Sequence, residues 1–430
     1  MEPIFHEVTL RDRGGKDEVF RFDSANMRLL DQFGVLIEPK IDASLPTFGS
    51  CGSKPARVIS PTAPGRKSRD LSYIKLLLGF SCNFNCTYCN QRSQTHDGAS
   101  TGDPEAFVEG MSKWCSGGSD DLGSGLRMSL WGGEPFVYWS VLKKMVPALR
   151  RRYPHIALSM VTNGSLLTQE RVNFVCENDI NLMISHDGPG HYLRGVDPLK
   201  DSSIVELICQ LLDRRGKEKV GFNCVLTREN CSLSRIHDHI AEALGREDFG
   251  FSTEGVVQTE DDGSFSVSPS SKENYEDIYL TLLKDAIEGG ALKAGTYNLE
   301  YIGALRAFSE HPEMNAWGQR CGLDRDDVLA VDLAGNVLTC QNEIDPSMRI
   351  GHVNNLDAVR LNTSYHFMAR ESCVRCPVVQ LCKGGCMHQT GVAWETTCRN
   401  HYHYHLSVLA TAIFSMTGKI LVGICSDDKA

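Results

Sequence analysis

Between Tyr73 and about Gly303, short apolar runs and amphipathic stretches take turns, and this alternation restricts the chain more than any other feature. Strands are predicted at Tyr73–Gly79, Leu126–Trp131, Ile156–Thr162, Asn181–His186, Val220–Val225 and Phe249–Glu254. Each is a short apolar run bounded by turn residues. Helical periodicity falls between them, at Pro104–Trp114, Val141–Arg152, Thr168–Glu177, Ser203–Arg215 and Ser232–Leu244. Strands joined through helices cannot form hairpins; they pair in parallel through right-handed crossovers. The expected fold class is α/β, with chemistry at the C-terminal ends of the strands.

The first predicted strand runs through YIKLLLGF into SCNFNCTYCN, Ser81 to Asn90, which sets Cys82, Cys86 and Cys89 in a CxxxCxxC pattern. Three thiolates can hold three irons of a four-iron, four-sulfur cluster and leave the fourth iron without a protein ligand. A structural zinc site is the alternative, but such sites close with four ligands from paired cysteines or histidines. The chain has 17 cysteines, and ten of them fall into two spaced sets, at 82–89 and 321–398. The other seven (Cys51, Cys115, Cys176, Cys209, Cys224, Cys231 and Cys425) are scattered, several of them in apolar runs. They read as small hydrophobes.

Length and charge exclude several functions. The 430 residues suffice for two or three domains, and a net charge of −10 provides no general basic surface for duplex nucleic acid. There is no apolar run of 18 residues, and the opening MEPIFHEVTL does not read as a secretory leader. The expectation is a cytoplasmic protein without membrane or nucleic-acid partners, in which many cysteines mean metal rather than disulfides.

Polar, glycine-rich clusters stand at the predicted strand ends. WGGEP, Trp131 to Pro135, follows the second strand. Gly132 and Gly133 would let the backbone approach a ligand, and Glu134 suits a buried cation. TNGSLL, with Asn163 and Ser165, follows the third strand, and SHDGPG, with Ser185 and Asp187, the fourth. Asn-Gly and Asp-Gly also favour turns by themselves. Asn223 lies on the fifth strand.

The second cysteine set reads Cys321, thirteen residues, Gly335, four residues, Cys340, then Cys373-x₂-Cys376-x₅-Cys382-x₃-Cys386 and finally Cys398. VLAVDLAGNVLTC, between its first two cysteines, predicts a hairpin turning near Ala334-Gly335-Asn336. Before the alternating region, Glu7–Arg11 and Glu18–Phe22 read as strands and Asp23–Gln32 as a helix. Residues 50–70 read as a linker. Ser271–Leu292 is helical in pattern. The tract His401-Tyr-His403-Tyr-His405 reads as alternation on a half-exposed element, and Leu406–Val422 as an amphipathic helix.

The cysteine loop at a strand exit, followed by WGGEP, resembles the radical S-adenosylmethionine (radical SAM) enzymes. That resemblance implies a partial (β/α)6 barrel over residues 71–310, in which the methionine end of S-adenosyl-L-methionine (SAM) chelates the open iron. By the same resemblance Gly132, Gly133 and Glu134 hold the SAM ammonium, and Asn163, Ser185 and Asp187 contact its ribose and carboxylate. Residues 311–430 are similar to the seven-cysteine SPASM domain. This implies a first auxiliary cluster on Cys321, Cys340 and Cys386 and a second on Cys373, Cys376, Cys382 and Cys398, making three 4Fe-4S clusters in all. Residues 1–70 stand where related enzymes carry a leader-binding domain, of which this stretch would be a partial one.

Two departures bear on this resemblance. GLDRDDV after Cys321 lacks a cysteine that related enzymes place there, so the first auxiliary cluster would turn to Asp324, Asp326, Asp327 or Cys51, or keep an open iron. Gln341 follows Cys340 where sulfatase-maturating relatives have an aspartate.

Cys340-Gln-Asn, Gly351-His352 and CPVVQLCKGGC most resemble maturases of ribosomally made peptides. The implied reaction uses a 5′-deoxyadenosyl radical to take hydrogen from a precursor peptide and close a crosslink, a carbon–carbon cyclophane or a thioether. An external reductant such as flavodoxin or ferredoxin would supply electrons. A sulfatase-maturase-like oxidase of protein side chains is the alternative enzyme, and an iron–sulfur electron carrier the alternative of another class. Glu254, Glu343, Asp345 and His388 are candidates to accept a proton, with none preferred.

Overall fold

The computed structural model describes residues 2–40, 66–91, 102–116, 125–258, 268–269, 276–312, 320–342, 348–360, 367 and 370–426. Its described strands fall into two sheets. The N-terminal region supplies β1 (Phe5–Arg11), β2 (Asp17–Asp23), β3 (Arg28–Leu30) and β4 (Leu36–Ile37), paired antiparallel in that order. The expected helix over Asp23–Gln32 is not formed. The Asp23 carboxylate accepts from the backbone N–H groups of Ile4 and Ala25 and from the Asn26 amide, which makes a tight reversal into β3 instead.

The second sheet carries β5 (Tyr73–Leu77), β6 (Arg127–Trp131), β7 (Ala157–Thr162), β8 (Ile180–Ser185), β9 (Val220–Leu226) and β10 (Gly250–Val256). They are parallel and neighbour one another in chain order. Helices connect them, as the alternation requires. The helix Leu233–Leu244 illustrates how: Ser232 caps it by accepting from the Arg235 N–H, and Gly245 ends it at φ +66°. Leu233, Ile236, Ile240 and Leu244 form its buried face. The register aligns the strand ends, with Leu77 beside Trp131, Thr162 beside Ile184 and Ser185 beside Asn223. The loops that leave those ends therefore share one rim.

The sheet does not stop at the first barrel strand. β11 (Val328–Asp332) pairs parallel with β5, placing Val331 opposite Leu76, and the antiparallel β12 (Asn336–Leu338) and β13 (Arg349–His352) extend it to nine strands. Gly335, at φ +87°, turns the expected hairpin between β11 and β12. The C-terminal region is thus joined to the barrel by main-chain hydrogen bonds, and the loop carrying Cys340 comes to the same rim.

The end of the chain departs from expectation twice. The helix spans Gly391–Thr417, so the His401-to-His405 tract belongs to a helix, with His401, Tyr404 and His405 all buried. Gly418 stops it at φ +71°, and β14 (Ile420–Ser426) then pairs antiparallel with β1, Val8 opposite Ile424. Branched Ile420 and Val422 favour this strand over the helix expected to Val422. The stretch expected to be helical over Ser271–Leu292 holds a helix at Glu276–Ile287 and a 3-10 turn at Ala291–Lys293. Among the described residues no helix is long and apolar enough to cross a membrane.

Candidate functional site

The rim encloses a cavity of about 520 Å³. Cys82, Cys86 and Cys89 line it from the loop after β5, and Cys321, Cys340 and Cys386 line it from the C-terminal region. Gly132, Gly133, Glu134, Asn163 and Ser185 contribute to the same wall, with Asn223 and Glu254 on the facing strands. Residues separated by some three hundred positions in the chain meet here because β11 shares an edge with β5.

The cysteine loop is clipped to WGGEP backbone to backbone. Gly133 N–H donates to the Gly79 carbonyl and Glu134 N–H to the Ser81 carbonyl, both at 3.0 Å. A Cβ on Gly132 would lie 2.6 Å from the Gly79 oxygen, and one on Gly133 would lie 2.4 Å from the Ser81 oxygen. Close packing of two loops therefore requires both glycines, whatever else they approach. Backbone amides also reach the sulfurs: Phe84 N–H donates to Cys82 Sγ and Gln91 N–H to Cys89 Sγ, each at 3.4 Å. Burial pushes the Cys86 thiol up to about 12, while the nearby Arg194 pulls against that rise.

Glu134 is 1% exposed and accepts from Phe136 N–H at 3.0 Å, Thr162 Oγ1–H at 2.8 Å and Asn163 N–H at 2.7 Å. Burial raises its carboxyl even against these three donors, and among the described residues it has no ion-pair partner. Asn163 is oriented in turn, donating to Asn83 and accepting from Ser165. Asp187 behaves differently from the expectation that it contacts a ligand, because it is not brought to the cavity wall. It is fully buried and holds Arg194, accepts from the Tyr88 hydroxyl and takes the Val225 N–H at 2.9 Å. Its oxygens are consumed inside the protein.

The second cysteine set divides. Cys321, Cys340 and Cys386 face the central cavity, and Asn342 N–H donates to Cys340 Sγ at 3.4 Å. Cys373, Cys376, Cys382 and Cys398 line a separate small pocket with Trp394, His401 and Tyr402. Burial pushes the Cys373 thiol up to about 11 and Cys382 to about 12, and in each case the neighbouring thiols add to the rise. Arg370 braces this region by donating to the carbonyls of Gly384, Cys386 and Gln389. Asp324, Asp326 and Asp327 do not line the central cavity; Asp327 is held by Arg325 and Ser72. Gln341 and His388 do line it, whereas Cys51, Glu343 and Asp345 lie outside the described residues.

Several wall residues were given no role from the sequence. Lys75 points into the cavity from β5, and a lysine inside an otherwise apolar run was the available signal. Trp131 Nε1–H donates to Asn342 Oδ1 at 3.1 Å and so links the barrel to the Cys340 loop. Arg194 and Gln258 carried no local signal at all.

The donor chemistry suits metal and a cationic ligand. Grouped thiols whose neutral form is favoured by burial and by one another release protons when a metal binds. Amide donors aimed at sulfur stabilise the resulting thiolates. A buried carboxylate raised by desolvation, with no ion pair among the described residues, is relieved by a bound cation.

Residues 76–230 match the family model of the radical SAM superfamily. The radical SAM cyclopropyl synthase TigE of Paramaledivibacter caminithermalis is 20% identical over 336 residues, which is 73% of this chain and 67% of that protein. A cysteine-type anaerobic sulfatase-maturating enzyme of Clostridium perfringens is 24% identical over 337 residues, 71% of this chain and 85% of that protein. The solved structure of native anSMEcpe with bound AdoMet is similar in fold, with a TM-score of 0.57 at 20% identity, covering 80% of this chain and 97% of that one. The matched segment contains the cysteine loop and most of the strands that frame the cavity, so the chain carries a radical SAM domain over residues 76–230 and resembles, over most of its length, radical SAM enzymes that modify peptides and proteins.

Proposed function

We propose that this enzyme acts on a ribosomally made precursor peptide, removing hydrogen from an unactivated C–H and closing an intramolecular crosslink of the carbon–carbon cyclophane or thioether kind. In this reading residues 71–310 are the radical SAM barrel and 311–430 a SPASM domain, with 1–70 as an N-terminal region of partly leader-binding character. Three 4Fe-4S clusters are assigned: on Cys82, Cys86 and Cys89; on Cys321, Cys340 and Cys386; and on Cys373, Cys376, Cys382 and Cys398. When bound and reduced from outside, by a protein such as flavodoxin or ferredoxin, the first cluster with SAM supplies a 5′-deoxyadenosyl radical that abstracts hydrogen.

The observation that carries the reading is the single cavity shared by Cys82, Cys86 and Cys89 with Cys321, Cys340 and Cys386. Crosslinking removes two hydrogens from the peptide, so the first abstraction must be followed by loss of one electron and one proton. Cys321, Cys340 and Cys386 would hold, in that same cavity, a metal group able to accept an electron. Glu254 can take the proton. Of the two carboxylates on this wall among the described residues, Glu134 is occupied by three donors, whereas Glu254 is exposed and accepts only from Asn223, at 2.6 Å, among the hydrogen bonds of those residues. Glu134, with Gly132 and Gly133 beside it, is assigned to the SAM ammonium, and Asn163 and Ser185 to the rest of the SAM polar groups. The solved anSMEcpe structure with the Cp18Cys peptide bound is consistent with a peptide substrate for this fold.

A side-chain oxidase of the sulfatase-maturase type is weakened by Gln341, which lines the cavity and cannot accept a proton as an aspartate would. The test is mass spectrometry of small precursor peptides co-expressed with the enzyme. Loss of two hydrogens that disappears with Cys340→Ala, with tandem mass spectra showing no backbone fragmentation between the joined residues and no reaction with a carbonyl reagent, is expected; loss of two hydrogens confined to one side chain that reacts as an aldehyde, or unchanged masses throughout, would overturn the crosslinking assignment.

A further inference from the structure

We infer that His401 is a positioning residue that donates a hydrogen bond to Cys382 Sγ, sets the reduction potential of the group held in the four-cysteine pocket, and ties that pocket to the reaction cavity through Gln258. The inference rests on the reading of Cys373, Cys376, Cys382 and Cys398 as cluster ligands.

His401 lies three residues after Cys398 on the helix Gly391–Thr417, so both side chains lie on one helix face, and both line the pocket. It is 3% exposed. Its two ring nitrogens have distinct partners that determine where its proton sits. Gln258 Nε2–H donates to His401 Nε2 at 2.9 Å, so that nitrogen is the acceptor and the proton belongs on Nδ1. Nδ1 faces Cys382 Sγ at 3.9 Å. The tautomer required at one end is therefore the one that makes an N–H···S contact at the other.

A second arm keeps the helix turn in place. His405 Nδ1–H donates to the His401 carbonyl at 2.6 Å, and Arg320 donates to the other ring nitrogen of His405. Arg320 and Gln258 both line the central cavity. Two hydrogen-bonded arms thus start at the cavity wall and converge on the turn that carries His401.

An iron–sulfur group gains one negative charge on reduction, and a donor aimed at a ligating sulfur stabilises that extra charge. The His401 N–H therefore raises the potential, and removing it lowers the potential. Because Gln258 orients the imidazole, the cavity wall and the potential of the neighbouring pocket are linked.

The experiment uses the full chain reconstituted with iron and sulfide, followed by an anaerobic redox titration read by electron paramagnetic resonance. His401→Leu should keep the iron content and lower the potential of one cluster so that its reduced-to-oxidised ratio at fixed poise falls about tenfold, about 59 mV for one electron. His401→Asn, which keeps an N–H near the Nδ1 position, should restore most of the shift. Gln258→Leu, at the cavity wall and outside the pocket, should move the same cluster in the same direction by less, and serves if His401→Leu fails to fold. Unchanged potentials in His401→Leu or Gln258→Leu with iron retained would overturn the inference alone. Loss of iron in His401→Leu would make His401 a ligand and also overturn it. Cys382→Ala with no loss of iron would remove the cluster reading itself.

Discussion

Asp187 clasps Arg194 with both carboxylate oxygens, at 2.8 and 3.0 Å, where the guanidinium lies over the Tyr88 ring at the foot of the cysteine loop. The side chains of Asp187 and Arg194 are 0% and 12% exposed. Breaking a buried pair leaves a charge without compensation, which costs about 3–5 kcal/mol. Asp187→Asn should lower the unfolding free energy by that order in a urea titration. A loss below about 1 kcal/mol, the scale of an exposed pair, would mean that the pair is not structural.

Glu134 stands at the other functional extreme. Glu134→Gln keeps one oxygen for Phe136 N–H and Thr162 Oγ1–H, gives up the acceptor that Asn163 N–H uses, and removes the charge. SAM binding should weaken at least tenfold, about 1.4 kcal/mol, in isothermal titration calorimetry on iron-loaded protein. Unchanged affinity would assign Glu134 to the packing of WGGEP alone.

Cys86→Ala should abolish cleavage of SAM to 5′-deoxyadenosine under a strong reductant. Fully loaded protein should carry about twelve irons if all three sites hold cubanes, and the variant about eight. Undiminished cleavage in the variant would refute the first cluster assignment, and a wild-type value near four irons would mean that the C-terminal cysteines hold something else.

Glu254→Gln should separate two steps. SAM cleavage should persist, while formation of the peptide product falls by about a hundredfold, the scale of losing a general base. Equal loss of both in a coupled assay would place Glu254 in SAM binding instead.

Acid should destabilise the fold through buried histidines. His191 is 1% exposed with neither ring nitrogen hydrogen-bonded among the described residues, and burial with the adjacent His186 depresses its pKa from 6.5 to about 4. His405 is shifted in the same direction, by burial first. The unfolded chain takes up protons below pH 6.5 while the folded chain does not, so stability is fully present above 6.5 and is lost as pH falls from 6.5 to about 4. The steepest slope is about 1.4 kcal/mol per pH unit for each ring. His191→Phe should flatten this limb in chemical denaturation at pH 7 and pH 5; an unaltered slope would place the acid sensitivity elsewhere.

The barrel strands and their helices were legible because hydrophobic period is a local property. The expected Ile156–Thr162 and the observed Ala157–Thr162 differ by one residue, and the other barrel strands by one or two. The failures lie where a distant partner decides. Asp23–Gln32 carries a helix-like pattern, yet the Asp23 side chain turns it back toward Ile4. Residues 420–422 read as the end of a helix until β1 is there to pair with them. Asp187 looked like a ligand contact because its Asp-Gly dipeptide stands at a strand end, but Arg194, seven residues on, folds back to claim it.

The chain's own order of residues determined which groups are chemically able to hold metal, since thiol spacing and strand–helix period are written along the backbone. Only the tertiary structure decided which of those thiols look at one another. The parallel pairing of β11 with β5 brings Cys321 and Cys340 to the rim of Cys82, while the helix Gly391–Thr417 carries Cys398 to a separate pocket. Such pairings depend on main-chain hydrogen bonds and apolar burial between segments some 250 residues apart, and no local pattern encodes a partner at that distance.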